Sequence, residues 1–345
     1  MEIPGEELKN KIKARANDLG FSLCGITKPV PPEGYPVYDQ WLQSGFNSGM
    51  SYLESNYHRL SRQVPRKLMP EVESIICLGF PYSLHKPETL YDNKSILIAG
   101  YASGEDYHLA LPARMQMLVN DISSWSGKSI QSRLFTDSAP ILERELAQKA
   151  GFGWIGKNSC LISPKIGSSF ILSEIFIDLH LEPDLPFEKD LCGSCRRCLE
   201  ACPTKCIKEN RTIDSNKCIS YHTIENKGEI PENIADKLGN WLFGCDICQM
   251  VCPWNRRAVK GNDENAWSIS QVIDLIQMDS AEFTIRYKNS PLLRPKYTGL
   301  IRNSLIILSR FNNHISRMIT TDLVEKSNDS VLINTAKMIL QKLHK

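Results

Sequence analysis

The feature that most constrains this chain is a set of closely spaced cysteines. Cys192, Cys195, Cys198 and Cys202 precede Pro203; after Cys206 and Cys218 come Cys245, Cys248 and Cys252, followed by Pro253. The first set reads C-x2-C-x2-C-x3-C-P, the bacterial ferredoxin spacing, in which tight loops bring three thiolates to one iron-sulfur cube and the fourth cysteine serves the other. The second set is less regular, C-x2-C-x3-C-P with the distant Cys218 ahead of it. Crossed ligation assigns Cys192, Cys195, Cys198 and Cys252 to one 4Fe-4S cluster and Cys202, Cys218, Cys245 and Cys248 to the other, with Cys206 left over. Paired C-x2-C units can also build four-thiolate zinc sites. The triplet, and the proline after each terminal cysteine, favour clusters.

The rest of the chain is consistent with ligation rather than disulfides. Nine of the twelve cysteines fall between positions 192 and 252. Met1 to Leu23 is charged and amphipathic without an apolar signal core, and no stretch approaches the roughly 20 apolar residues of a membrane helix. A cytoplasmic protein without membrane association is therefore expected, in which thiols bind metal. Cys24, Cys77 and Cys160 lie outside the cysteine-dense part and read as small buried hydrophobes. A net charge of +2 over 345 residues announces no polyanionic partner, so any nucleic-acid surface must come from local clustering.

Composition divides the chain into an apolar, mixed α and β part over 1–181, the cysteine-dense part over 182–260, and a helical tail over 261–345, with a polar linker at Lys260 to Asn265. Ser74 to Phe80 and Ser169 to Ile177 read as strands, while Glu105 to Ser124 and Ala139 to Ala150 have helical spacing. The fold class expected is α+β. For the helix at Ala139, Asp137 and Ser138 are good N-caps, Pro140 suits the first turn and Gly151 can end it. Gly151 to Gly156 is glycine-rich enough for its backbone to approach a flat macrocycle, or to make a tight βα or ββ turn. From Phe283 to Thr321 no residue is acidic, yet seven are Lys or Arg, a plausible phosphate-tracking surface in which Tyr287 and Tyr297 could stack on unpaired bases.

Several segments together resemble the epoxyqueuosine reductase family. They are Tyr57-His58-Arg59 with Pro65, Leu68 and Pro70 ahead of SIICLGFPY; Tyr101 with Asp106, Tyr107 and His108; Asp137 with Glu143, Arg144 and GFGWIGKNSCLI; then CISYHTIE, GCDICQMVCPWN and SPLLRPKYTGLIRN. The resemblance covers about residues 5–312. It implies a nitroreductase-like cobalamin-binding domain, a two-cluster ferredoxin-like module and a HEAT-like tail. It implies base-off cobalamin without a histidine lower ligand, two 4Fe-4S clusters fed by an external electron donor, and a monomer that reduces epoxyqueuosine to queuosine at the wobble position of tRNA. Asp137 matches the family's proton donor, and a dry site would raise its pKa so that it can donate. Arg59, Tyr101, Asp137, Lys157, Asn158, Ser159, Cys160, Ser168, Ser169 and Ser220 are expected around the cobalamin, and Arg294, Lys296 and Arg302 against the tRNA. Two other readings use the same cysteines: a related cobalamin reductase of small molecules, such as a reductive dehalogenase, and an iron-sulfur electron carrier.

Overall fold

The computed structural model describes residues 5–91, 95–257, 266–311 and 314–343; the expected linker at Lys260 to Asn265 lies outside them. The strands are β1 (Leu23–Thr27), β2 (Ser74–Pro81), β3 (Leu97–Ile98), β4 (Ser132–Phe135), β5 (Trp154–Ile155), β6 (Leu161–Ile162), β7 (Phe170–Ile177) and β8 (Trp241–Phe243). A four-stranded sheet of order β1-β2-β7-β4, antiparallel throughout, organises the N-terminal part. Ser74 to Gly79 are all buried, because both faces of this sheet are covered. That is why the strand reads as a continuous apolar run rather than an alternating one.

One face carries Ile26, Ile76, Leu78, Ile175 and Ile177 against two helices, α1 (Gly5–Asp18) and a long helix over Tyr107–Ser126. Between them in the chain lie α2 (Tyr35–Gln43) and α3 (Asn56–Gln63), so the long helix is α4. Glu6 and Glu7 sit in the first turn of α1, where they complement the helix dipole. Asp106 caps α4 by accepting from the His108 backbone N–H, and Gly127, at φ +65°, ends it. The opposite face carries Leu23, Ile75, Cys77, Phe135 and Phe176 under α5 (Glu143–Lys149).

The helix expected over 139–150 is therefore shorter, and Asp137 is not its cap; Leu142 occupies that position. Pro140 disfavours helical backbone at Ala139, and Asp137 itself is left-handed at φ +58°. Residues 136–142 consequently form an irregular turn that carries Asp137 away from the helix axis.

The C-terminal core crosses the compositional boundaries. β3 pairs in parallel with β8, and Ile96, Leu97 and Ile98 join one apolar cluster with Ile219, Trp241, Phe243, Leu275, Leu300 and Leu305. Short helices α6 (Arg197–Ala201), α7 (Ile219–Ile224), α8 (Glu232–Ala235) and α9 (Ile247–Met250) carry the cysteine loops. Helices α10 (Ile269–Gln277), α11 (Ser280–Arg286), α12 (Lys296–Leu308), α13 (His314–Lys326) and α14 (Ser330–Leu343) complete the tail. α12 is buried on nearly every side from Gly299 to Leu308. Ser268 and Gln271 form a reciprocal capping box at the start of α10.

Candidate active site and the cysteine cavities

Cys192, Cys195, Cys198 and Cys252 line one small cavity of about 140 Å³, together with Lys157, Asn158, Ile162 and Trp254. Four thiols around a void suit a 4Fe-4S cube with one cysteine on each iron, whereas a zinc ion needs its four sulfurs about 2.3 Å from one point. The Trp154 indole N–H points at Cys192 Sγ at 3.3 Å, and the Lys157 ammonium donates to the carbonyls of Gly193 (2.7 Å) and Cys195 (3.0 Å), clamping the loop.

The second set also assembles. Cys202 is 3.5 Å from the spare Cys206, both in a small apolar cluster against which Cys218 and Cys248 pack. Cys245 lies near enough to Cys202 and Cys218 to feel their charge. Cys160 is not an isolated core thiol: it is hydrogen-bonded to Cys248.

The carboxyl of Asp137 meets three donors. Its Oδ2 accepts from the Tyr107 hydroxyl at 2.8 Å and from Arg294 at 2.9 Å, and stands 3.4 Å from His108 Nε2. His108 in turn places Nδ1 2.7 Å from Asp106 Oδ1. Burial alone would push the Asp137 carboxyl up, but His108, Arg294 and Tyr107 outweigh it and hold it well below the usual carboxylate range. The expectation of a raised pKa is thus overturned by charge partners the sequence did not reveal. The bond to Asp137 raises the pKa of His108 against the effect of burial, with Asp106 reinforcing it.

Asp137 stands at the wall of a cavity of about 990 Å³. Its walls come from every part of the chain: Tyr38, Trp41 and Arg62 from the N-terminal helices, Glu143, Arg144 and Ser159 from the sheet's outer layer, Arg211 and Ile213 from the cysteine module, and Arg294 from the tail. Of the residues expected around a cofactor, Asp137 and Ser159 line it. Arg59 turns instead to Asp39, and its neighbours His58 and Arg62 face the cavity. His58 Nδ1 is occupied by Arg62 at 3.0 Å. Lys157 and Asn158 belong to the cavity of the first cysteine set. Ser168 is buried in a network with Gln249 and Asn255, and Ser169 is buried beside it. Tyr101 packs edge-on against Tyr82 and Tyr107, and Ser220 lies in α7 behind Cys218. The glycines at 153 and 156 answer to the β5-β6 hairpin, not to a macrocycle: a Cβ on Gly153 would stand 1.8 Å from the Ile162 carbonyl, and one on Gly156 2.4 Å from the Ile162 side chain.

The basic tail is largely spoken for. Arg302 is fully buried and donates to the carbonyls of His222, Asn226 and Gly228, so its expected place against tRNA is incorrect. Arg294 divides its guanidinium between Asp137 and Glu225. Lys296 remains exposed. Tyr287 stacks on Trp267 and the Tyr297 hydroxyl binds the Met278 carbonyl at 2.9 Å, so both are packing residues rather than free stacking faces. Nothing local in the sequence marks Arg62, Glu225 or the role of Arg294; the fold brings them to the cavity wall that Asp137 shares. Glu143 and Arg144 are legible in the sequence only as part of a motif.

Residues 191–255 match the family model described as a 4Fe-4S double cluster binding domain, and residues 62–138 match the model described as epoxyqueuosine reductase QueG. The epoxyqueuosine reductase of Cyclobacterium marinum is 39% identical over 304 residues, 85% of this chain and 94% of that one. That of Leadbetterella byssophila is 38% identical over 86% of this chain and 97% of its own. The solved epoxyqueuosine reductase of Streptococcus thermophilus superposes with a TM-score of 0.87 at 25% identity, over 97% of this chain and 90% of that one. A Bacillus subtilis structure, described as having its catalytic aspartate loop swung out of the active site, matches with a TM-score of 0.87 at 25% identity over 99% and 91%. With relatives this similar over nearly their whole length, and with Asp137 and the two cysteine sets placed as described, the chain belongs to the epoxyqueuosine reductase family.

Proposed function

We propose that this protein reduces epoxyqueuosine in tRNA to queuosine, with the chemistry at the cavity beside Asp137. The observation that carries the reading is the cavity itself: about 990 Å³, walled by all three parts of the chain, with a polar cluster centred on Asp137 at one side and the cysteine module at the other. Its volume is at the top of the range for cofactor and small-molecule sites, roughly 300–1,000 Å³. Flat Tyr38 and Trp41 with Arg62, Arg144 and Arg211 fit a large macrocycle bearing amide and phosphate groups, and these residues would hold cobalamin. A low-valent cobalt supplies a strong nucleophile or reductant for the epoxide; binding, orientation and protons are the protein's part. The two cysteine sets would hold two 4Fe-4S clusters, which would supply electron transfer between an external donor and the cavity.

Asp137 directs its carboxyl at the position where the epoxide oxygen develops charge, and Tyr107, His108 and Arg294 set its orientation and protonation. The antiparallel sheet with helices on both faces is read as nitroreductase-like, and the packed pairs of α12 to α14 as HEAT-like. Lys296 and the other exposed tail cations track phosphates of the anticodon stem loop, and the modified wobble base is splayed out to reach the cavity. The protein acts as a cytoplasmic monomer; among the described residues no helix is long and apolar enough to cross a membrane.

The test is direct. Reduced protein loaded with cobalamin is incubated with epoxyqueuosine-containing tRNA, and the released nucleoside is weighed. Loss of one oxygen supports the reading and an unchanged mass rejects it. Asp137→Asn should retain clusters and cobalamin while losing turnover; full activity in that variant removes Asp137 from the mechanism.

A further inference from the structure

Converting an epoxide to an alkene expels its oxygen as water and consumes two electrons and two protons. A site that does this near neutral pH must hold exchangeable protons beside the substrate. Asp137 does not meet that need alone, because Tyr107, His108 and Arg294 keep it ionised.

The other carboxyls on the cavity wall are mostly engaged. Glu145 accepts from the backbone N–H groups of Glu33 (2.7 Å) and Gly34 (2.8 Å) and pairs with Lys149. Glu225 pairs with Arg294 at 2.7 Å, and Asp190 with Arg211. Glu188 is exposed. Glu143 differs from all of these. It lines the cavity at the first turn of α5, its carboxyl is held on one side by the Asp137 backbone N–H, and its Oε1 is buried without a partner.

A second carboxyl stands behind it. Glu174 lies in β7 on the sheet face that α5 covers, opposite Cys77 on β2 and Phe135 on β4. It is fully buried and neither oxygen has a partner. The residue after Phe135 but one is Asp137, so the end of β4, the start of α5 and the middle of β7 bring three carboxyls to one place. They cannot all be ionised together, and the protons belong to the set.

We propose that Glu143 is the proton-holding residue of the epoxide-reducing site, positioned to pass its proton through the ionised carboxylate of Asp137 to the departing oxygen. The proposal rests on the functional reading above. Both protons then leave in the water formed, the electrons arriving from the external donor, and Glu143 is reprotonated from solvent through the cavity. Electrostatics agree with the geometry: burial and the charge of Asp137 push the Glu143 carboxyl up to about 8, with Arg144 and Arg62 opposing, and burial with Glu143 and Asp137 pushes Glu174 well above the carboxylate range.

Glu143→Gln tests this, because an amide can still accept from the Asp137 N–H but cannot deliver a proton. In single turnovers with cobalamin-loaded protein and epoxyqueuosine-bearing stem loop, the variant should be about 100-fold slower with unchanged KM. The parent's rate should decline as pH rises through about 8, and that decline should be absent in the variant. Independently of turnover, parent protein with isotope-labelled glutamate should show a carboxyl titrating near that pH that disappears in the variant. A variant with the parent's rate and pH profile, or a parent whose Glu143 carboxyl is already ionised at about pH 6, overturns the proposal. If Glu143→Gln fails to fold, the parent titration, assigned through Glu143→Asp, decides alone. A parent that leaves the nucleoside mass unchanged defeats the functional reading instead, and the titration still reports where the proton resides.

Discussion

Arg294 donates a 2.9 Å hydrogen bond to Oδ2 of Asp137, a residue 157 positions earlier, while its Nε lies 2.7 Å from Glu225. The helical tail thereby reaches the turn that carries Asp137. A cation expected on an outer phosphate-tracking surface serves as the electrostatic partner of the candidate proton donor.

Arg294→Gln should remove one of the interactions that keep Asp137 ionised and so raise the pKa of its carboxyl, which a pH titration of Asp137 in the variant and the parent measures. It should leave the salt dependence of tRNA binding unchanged. Lys296→Ala, which removes an exposed cation, should reduce the slope of log affinity against log salt by about one. Equal salt slopes for Lys296→Ala and the parent would remove Lys296 from the interface.

Arg302→Met should cost about 3 kcal/mol or more, because the carbonyls of His222, Asn226 and Gly228 lose a shared buried donor. Chemical denaturation reads the loss. The salt slope of tRNA binding should not move, since Arg302 has no exposed surface.

Stability should decline with pH where Glu143 changes charge. Its folded pKa, about 8, is above the usual 4.5, so the folded state binds more protons across that interval and stability falls as pH rises through it. One such group contributes a slope of up to about 1.4 kcal/mol per pH unit. Glu143→Gln should flatten the urea-unfolding free energy between about pH 5 and pH 8. A slope as steep as the parent's would contradict the assignment.

If Cys192 is a cluster ligand as proposed, Trp154→Phe should lower that cluster's reduction potential, because it removes an N–H aimed at the Cys192 sulfur while keeping an aromatic ring against Phe187 and Trp254. Potentiometric titration followed by electron paramagnetic resonance measures this.

Cys206→Ser should leave the iron content of purified protein at the parental value, whereas Cys202→Ser should lose iron. The two thiols are only 3.5 Å apart, so iron and sulfide analysis of both variants distinguishes ligand from neighbour.

Features that depend on local spacing can be read from the residues alone. The two cysteine sets, the strands Ser74–Pro81 and Phe170–Ile177, and the helix beginning at Tyr107 were all legible, because ligand loops and strand or helix periodicity involve neighbours in the chain. Asp137 could be singled out from its motif, but its neighbourhood could not. Tertiary structure decided that Asp137 faces a cavity instead of capping a helix, and that Arg294, Tyr107 and His108 hold it ionised. It also decided that Arg302 is buried in the C-terminal core and that Glu143 is left with an unpartnered buried oxygen. These outcomes depend on which side chains meet across long separations, and burial and charge act through space; a string of residues carries only the separations along the chain.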